Sequence, residues 1–149
     1  MLLGAALIAF GAVKAYRFLY PTYREPGTIE GACDLHAGAC RAVLPDGARL
    51  SFSITPRPIP LITPLDVEVR ISGLTPDAIE VDFSSLEMNM GFNRPALAKE
   101  GAGVFRGKAV LPACVSERMT WRARVLMHTS DGTLAVPFTF VTTGARTAG

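Results

Sequence analysis

The side chains with the most specific chemistry are two thioethers two residues apart and a cysteine with no adjacent partner. Met88 and Met90 stand in Leu86-Glu87-Met88-Asn89-Met90-Gly91-Phe92, and Cys114 stands in Leu111-Pro112-Ala113-Cys114-Val115. On a strand, residues two apart share one face. Met88 and Met90 on a strand over Leu86–Met90, with a thiolate from the Leu111–Ser116 loop as a third donor, would make a two- or three-coordinate Cu(I) site. Zn(II) would want nitrogen or further thiolates instead. The competing reading is that Met88 and Met90 are ordinary core methionines. That is the expectation for Met119 and Met127, which share a period-two face with Trp121, Ala123 and Val125.

Cys33 and Cys40 bound an eight-residue loop with a glycine in it, Cys33-Asp34-Leu35-His36-Ala37-Gly38-Ala39-Cys40. A local structural disulfide in an oxidising compartment is the expected state. A redox or metal-binding pair is the alternative, although the spacing is neither CxxC nor a zinc pattern. Cys114 is the odd cysteine: it pairs with Cys33 or Cys40, or stays a free thiol and soft ligand.

Nucleophilic catalysis would have to use one of only two histidines, His36 in the cysteine loop or His128 beside a Ser130-Asp131-Gly132 turn. No GxGxxG, Walker, HExxH or GxSxG spacing occurs, and Asp66, Glu68, Glu80 and Asp82 fall on the wet positions of alternating strands. The chain is therefore expected not to be an enzyme. Arg106, Lys108, Arg118, Arg122 and Arg124 form either one basic surface or an ordinary solvated face.

The elements that must carry these residues follow from composition and period. At 149 residues, 49% hydrophobic and 19% charged, the chain has room for one domain with one core, and its mean hydropathy of +0.29 is high for a plain cytosolic domain. Residues 26–149 carry 12 basic and 12 acidic side chains, so the net +2 comes from the N-terminus. A neutral body has no basic stripe for a phosphate backbone, which argues against nucleic acid as a partner.

Leu2–Val13 is uncharged and spans about 18 Å as a helix, short of the roughly 30 Å of a bilayer core. Continued to Tyr20 it reaches about 28 Å, with Lys14 and Arg17 placed to snorkel beside Tyr16 and Tyr20. Residues 1–20 are thus read as a membrane anchor or signal-like helix, and residues 21–32 as a linker opened by Pro21 and Pro26-Gly27. The positive-inside rule alone would keep the body cytoplasmic, since the charges follow the apolar run. The cysteine pair favours the other side, and an upstream start or a translocation-neutral N-terminus reconciles the two. The body is expected in the periplasm, anchored in the cytoplasmic (inner) membrane.

From Arg41 onward short β-rich runs alternate with turn signals. Arg41–Leu44 and Ala48–Ile54 flank Pro45-Asp46-Gly47 as a hairpin, and the proline-rich Thr55–Pro64 runs as a crossover or edge. Strands follow at Leu65–Ile71, Ile79–Phe83, Leu86–Met90, Val104–Leu111, Met119–Met127 and Leu134–Val141, the last with Pro137 signalling an edge or bulge. The expected fold is all-β, an immunoglobulin-like or cupredoxin-like antiparallel sandwich of about seven strands over residues 33–142. One N-terminal apolar helix precedes it and a disordered tail, 143–149, follows.

The apolar N-terminus, the Met88–Arg94 run, Gly103-Val104-Phe105-Arg106-Gly107, the Leu111-Pro112 step and Met119-Thr120-Trp121-Arg122-Ala123 together resemble the FixH/YtkA-like proteins, over roughly residues 65–141. The resemblance implies a small, membrane-anchored extracytoplasmic β-sandwich, associated in some members with copper handling and respiratory-oxidase assembly. The family's fuller Met/His pattern is absent, since no histidine accompanies Met88 and Met90. Two functions are carried forward: a periplasmic accessory protein handling Cu(I), in contact with a respiratory oxidase or copper-handling protein, and a metal-free structural or assembly subunit of a membrane complex.

Overall fold

Strict alternation makes β4, Leu65–Ser72, the most regular strand. Leu65, Val67, Val69 and Ile71 are buried, while Asp66, Glu68, Arg70 and Ser72 point outward. Each fully buried aliphatic side chain of this kind is worth about 1.5–3 kcal/mol relative to exposure. The computed structural model describes residues 2–19, 24, 27–89, 91–113 and 117–143. Among the described residues nine strands follow one helix, α1 (Leu2–Leu19): β1 (Thr28–Ile29), β2 (Cys40–Val43), β3 (Arg49–Thr55), β4, β5 (Ala78–Ser85), β6 (Ala96–Gly101), β7 (Val104–Ala109), β8 (Arg118–Thr129) and β9 (Gly132–Thr143).

All strand pairs are antiparallel, and the strands form one continuous sheet in the order β1-β2-β3-β4-β7-β6-β5-β8-β9. The expected class, mostly antiparallel β after an N-terminal helix, is what the chain adopts. The count and layering differ from expectation, with nine strands in a single curled sheet where about seven in two layers were anticipated. Curling brings distant strands face to face over one core: the rings of Phe52 on β3 and Phe138 on β9 lie 5.1 Å apart. β6 joins the two halves, pairing with β5 through Ala96 and Leu97 and with β7 through Ala98–Gly101, where the register shifts.

The β2–β3 hairpin closes as the sequence anticipates. Gly47 takes φ 88°, a region disfavoured for a residue with a Cβ, and Asp46 Oδ1 accepts the Ala48 N–H at 3.0 Å. Pro137 lies on β9, at the end of the strand order, where a missing N–H costs no ladder bond on the open side. In the stretch read as linker, Arg24 bridges in parallel to Leu134 of β9, and Thr28–Ile29 pair with β2. These few residues touch both ends of the strand order.

Two expectations are corrected. In the expected strand Leu86–Met90, the described residues 86–89 are not a strand, and Met90 lies outside the described residues. The ladder stops at Ser85, whose Oγ accepts the N–H groups of Glu87 (3.2 Å) and Met88 (3.4 Å), a local bonding pattern that competes with sheet pairing. Conversely β6 had no signal, because Leu97 is its single buried side chain. In α1, every residue from Gly4 to Tyr16 is exposed, including Leu7, Ile8, Phe10 and Val13. Among the described residues no helix is long and apolar enough to cross a membrane.

Candidate functional site: the loops at one end of the sheet

Antiparallel pairing sends four connections to one end of the sheet. They are the cysteine loop before β2, the proline-rich crossover between β3 and β4, the β5–β6 loop and the β7–β8 loop. Arg24 bridges β9 near its start, at the opposite end. The loops carrying the candidate sulfur ligands are thus remote from the point where the chain leaves Arg24.

Met88 follows β5 in this cluster and is 36% exposed, so it is not a core methionine. Met119 and Met127 are fully buried beside Trp121, as their shared face predicts. The β5–β6 loop is docked at two points. Glu87 accepts the Thr120 N–H with both carboxylate oxygens, at 3.1 and 2.9 Å, while Leu86 N–H donates to Thr120 O at 3.0 Å. Hydrogen bonds from Thr120, side chain and backbone, and then from Ser85, hold the Glu87 carboxyl below its usual range. Farther along, Asn93 Nδ2 donates to Val110 O at 3.0 Å and ties this loop to the segment leading toward Cys114. Met90 and Cys114 themselves lie outside the described residues. Of the proposed set, only Met88 is placed by the structure. Among the described residues no group of three or more His, Cys, Asp or Glu side chains gathers where it could hold a metal.

Cys33 and Cys40 meet at disulfide distance, their Cα atoms 5.4 Å apart. Between them lies a residue whose importance the sequence did not reveal. His36 Nδ1 accepts the Ile59 N–H at 3.0 Å, so the ring proton is on Nε2, which donates to Val141 O at 2.5 Å. Its ring also meets Phe140 edge-on at 6.1 Å. One imidazole thereby fastens the cysteine loop to the crossover and to β9, and neither ring nitrogen is left to ligate a metal. A histidine inside a cysteine-bounded loop was the available signal, but its partners lie 23 and 105 residues away.

His128 lies within β8, next to its last residue. Its Nδ1 is 3.0 Å from Thr133 Oγ1 and its Nε2 is 3.3 Å from Glu80 Oε1. The Arg94 Nε is 3.6 Å from Asp82 Oδ1 and 4.0 Å from Glu80 Oε2, and its guanidinium lies 5.1 Å from the Phe92 ring centroid. These half-buried side chains link β5, β8 and the segment just before β6, a bracing arrangement.

The five cations, read either as one basic surface or as an ordinary solvated face, do not gather on one surface. Arg106 and Lys108 are on β7, separated by β6 and β5 from β8 with Arg118, Arg122 and Arg124. Arg106 pairs with Glu68 at 2.7 Å and Glu100 at 2.9 Å, and Lys108 pairs with Asp66. The Glu68 carboxyl is held below its usual range chiefly by the Arg70 hydrogen bond, with desolvation opposing it and Arg106 adding to it. No family model, curated protein or solved structure matches this chain.

Proposed function

We propose that this chain is a membrane-anchored periplasmic accessory protein that holds or passes Cu(I) at Met88, Met90 and Cys114 for a respiratory oxidase or another copper-handling protein. The observation that carries the reading is the Asn93–Val110 hydrogen bond. It couples the loop of the two methionines to the segment that leads to Cys114, with the Met88 thioether at the surface. Soft sulfur donors select Cu(I) over harder ions. The exposed apolar side chains of α1 support an anchor, the Cys33–Cys40 distance suits an oxidising compartment, and the resemblance to FixH/YtkA-like proteins points the same way. The Phe52–Phe138 packing across the curled sheet supports an immunoglobulin-like or cupredoxin-like body.

The test is Cu(I) titration of the full chain against a competing chelator. Ascorbate keeps the metal reduced while leaving the Cys33–Cys40 pair oxidised. About one Cu(I) per chain is expected, and Met88→Leu with Met90→Leu should weaken binding by about tenfold or more. The same double variant should cost less than about 1.5 kcal/mol of stability, since Leu for Met nearly conserves volume. Absence of Cu(I) binding, or full affinity in the double variant, would overturn the copper reading.

One observation favours the second reading, a metal-free assembly subunit. Phe92 is 81% exposed, and Leu86, Met88, Ile62 and Val110 are exposed on the same loops. A partner complex would bury them. Copper-independent co-purification with a membrane complex, lost in Phe92→Ser, would select this alternative.

A further inference from the structure

We infer that a groove on the outer face of β2, β3 and β4 binds a small phosphate-bearing anion of about diphosphate size. Inward positions there are taken by Ala42, Leu50 and Ile71, so Arg41, Arg49, Ser51, Arg70 and Ser72 face outward. Register sets the geometry. Ser51 lies opposite Arg41 on one side and Arg70 on the other, and Arg49, two residues earlier, is diagonal to both. Two short hydroxyl side chains floor a depression that three guanidinium side chains wall, with a volume of about 320 Å³. The turn before β7 closes one end. It sits close because Gly103, at φ 70°, has no Cβ to collide with the Ile71 carbonyl oxygen.

The charges of this face follow two rules. Toward the other end of β4 each cation has a carboxylate directly across, Arg106 opposite Glu68 and Lys108 opposite Asp66. Around Ser51 that pattern stops. Arg70 is held by Glu68 at 2.6 Å, but Arg41 and Arg49 make no ion pair with any described residue, and the groove's one carboxylate is Glu30. Like charges on adjacent strands repel, and a polyanion relieves the repulsion. Guanidinium groups grip phosphate oxygens in pairs, and the serine hydroxyls can donate as well.

Size and source also follow from position. Arg41 and Arg70 stand on strands two apart, about 10 Å between backbones, which suits two phosphoryl groups better than one. The volume falls at the small end of ligand sites, about 300–1,000 Å³. Asp46, Asp77 and Asp131, against the single cation Arg24, line a separate depression at the neighbouring tip of the sheet. These carboxylates oppose an anionic bilayer surface, so the phosphate is carried by a soluble molecule rather than a lipid headgroup.

The experiment is calorimetric titration of the full chain, in neutral detergent at low salt, with inorganic pyrophosphate. Saturable binding is expected below about 1 mM, weakened about tenfold or more by Arg41→Gln with Arg49→Gln. The ligand-free melting temperature of that variant should be unchanged, because both side chains are exposed. Arg118→Gln with Arg122→Gln, on β8, should leave binding intact. No saturation, or an equal loss in the β8 variant, would overturn the site. Doping the micelles with phosphatidylglycerol should leave the pyrophosphate affinity unchanged, and a lipid-dependent loss that vanishes in the Arg41/Arg49 variant would overturn the soluble source.

Discussion

The Trp121 indole Nε1–H donates to Thr142 Oγ1 at 2.9 Å, joining the largest fully buried side chain to the one buried polar residue among those described. The pair lies diagonally across β8 and β9, since Met119 is directly opposite Thr142. Trp121→Ala should therefore cost about 3–5 kcal/mol through the cavity it leaves. Thr142→Val keeps the shape but strands the indole N–H, for about 1–3 kcal/mol. Urea denaturation measures both, and a loss under about 1 kcal/mol for Trp121→Ala would contradict its place in the core.

His36→Ala removes an acceptor from the Ile59 N–H and a donor from Val141 O. A cost of about 1–3 kcal/mol is expected. The local readout is hydrogen exchange: the Ile59 amide should lose protection while the β3–β4 amides keep theirs. Unchanged Ile59 exchange would refute the tie.

Glu87 gives the docking of the β5–β6 loop an acid limit. Its folded-state value is lowered from 4.5, chiefly by hydrogen bonds from Thr120, so its contribution is present above the unfolded value and lost as pH falls through the folded one. Below pH 4.5 the loop should progressively release the Thr120 amide. Glu87→Gln should show weakened docking at every pH and no acid transition, which amide chemical shifts across a pH titration would record.

Replacing Cys33 and Cys40 together by Ala removes a bridge across a sequence separation of seven. The chain-entropy relation gives about 2.5 kcal/mol for so short a loop. Thiol labelling of protein extracted without reductant should find both cysteines blocked, and free thiols at these two positions would contradict an oxidising location.

The sequence was informative where burial and local pattern agree. Leu65–Ser72, the Asp46-Gly47 turn and the Trp121 face could be read directly, because alternation reports the core and glycine reports the turn. It failed where pairing, not hydrophobicity, makes the element. β6 buries only Leu97 and takes its place from neighbours on both sides, whereas the run from Leu86 to Asn89 has a strand-like composition but loses its ladder to the Ser85 and Glu87 side chains. The cysteine pair was legible because its partners are close in sequence. The His36 tie and the arginine groove were not, since each needs strands from distant parts of the chain to be placed side by side.

Arg24 hydrogen-bonds to β9, accepting the Ala135 N–H at 2.7 Å, and a few residues later Thr28 and Ile29 pair with β2. Tension arriving from the N-terminal side of Arg24 thus reaches the last strand before the first. Both attachments run along the strand direction, one parallel and one antiparallel. A pull at Arg24 consequently loads β9 first and β2 next, so the body is mechanically coupled to the chain that precedes it at two edges rather than at one.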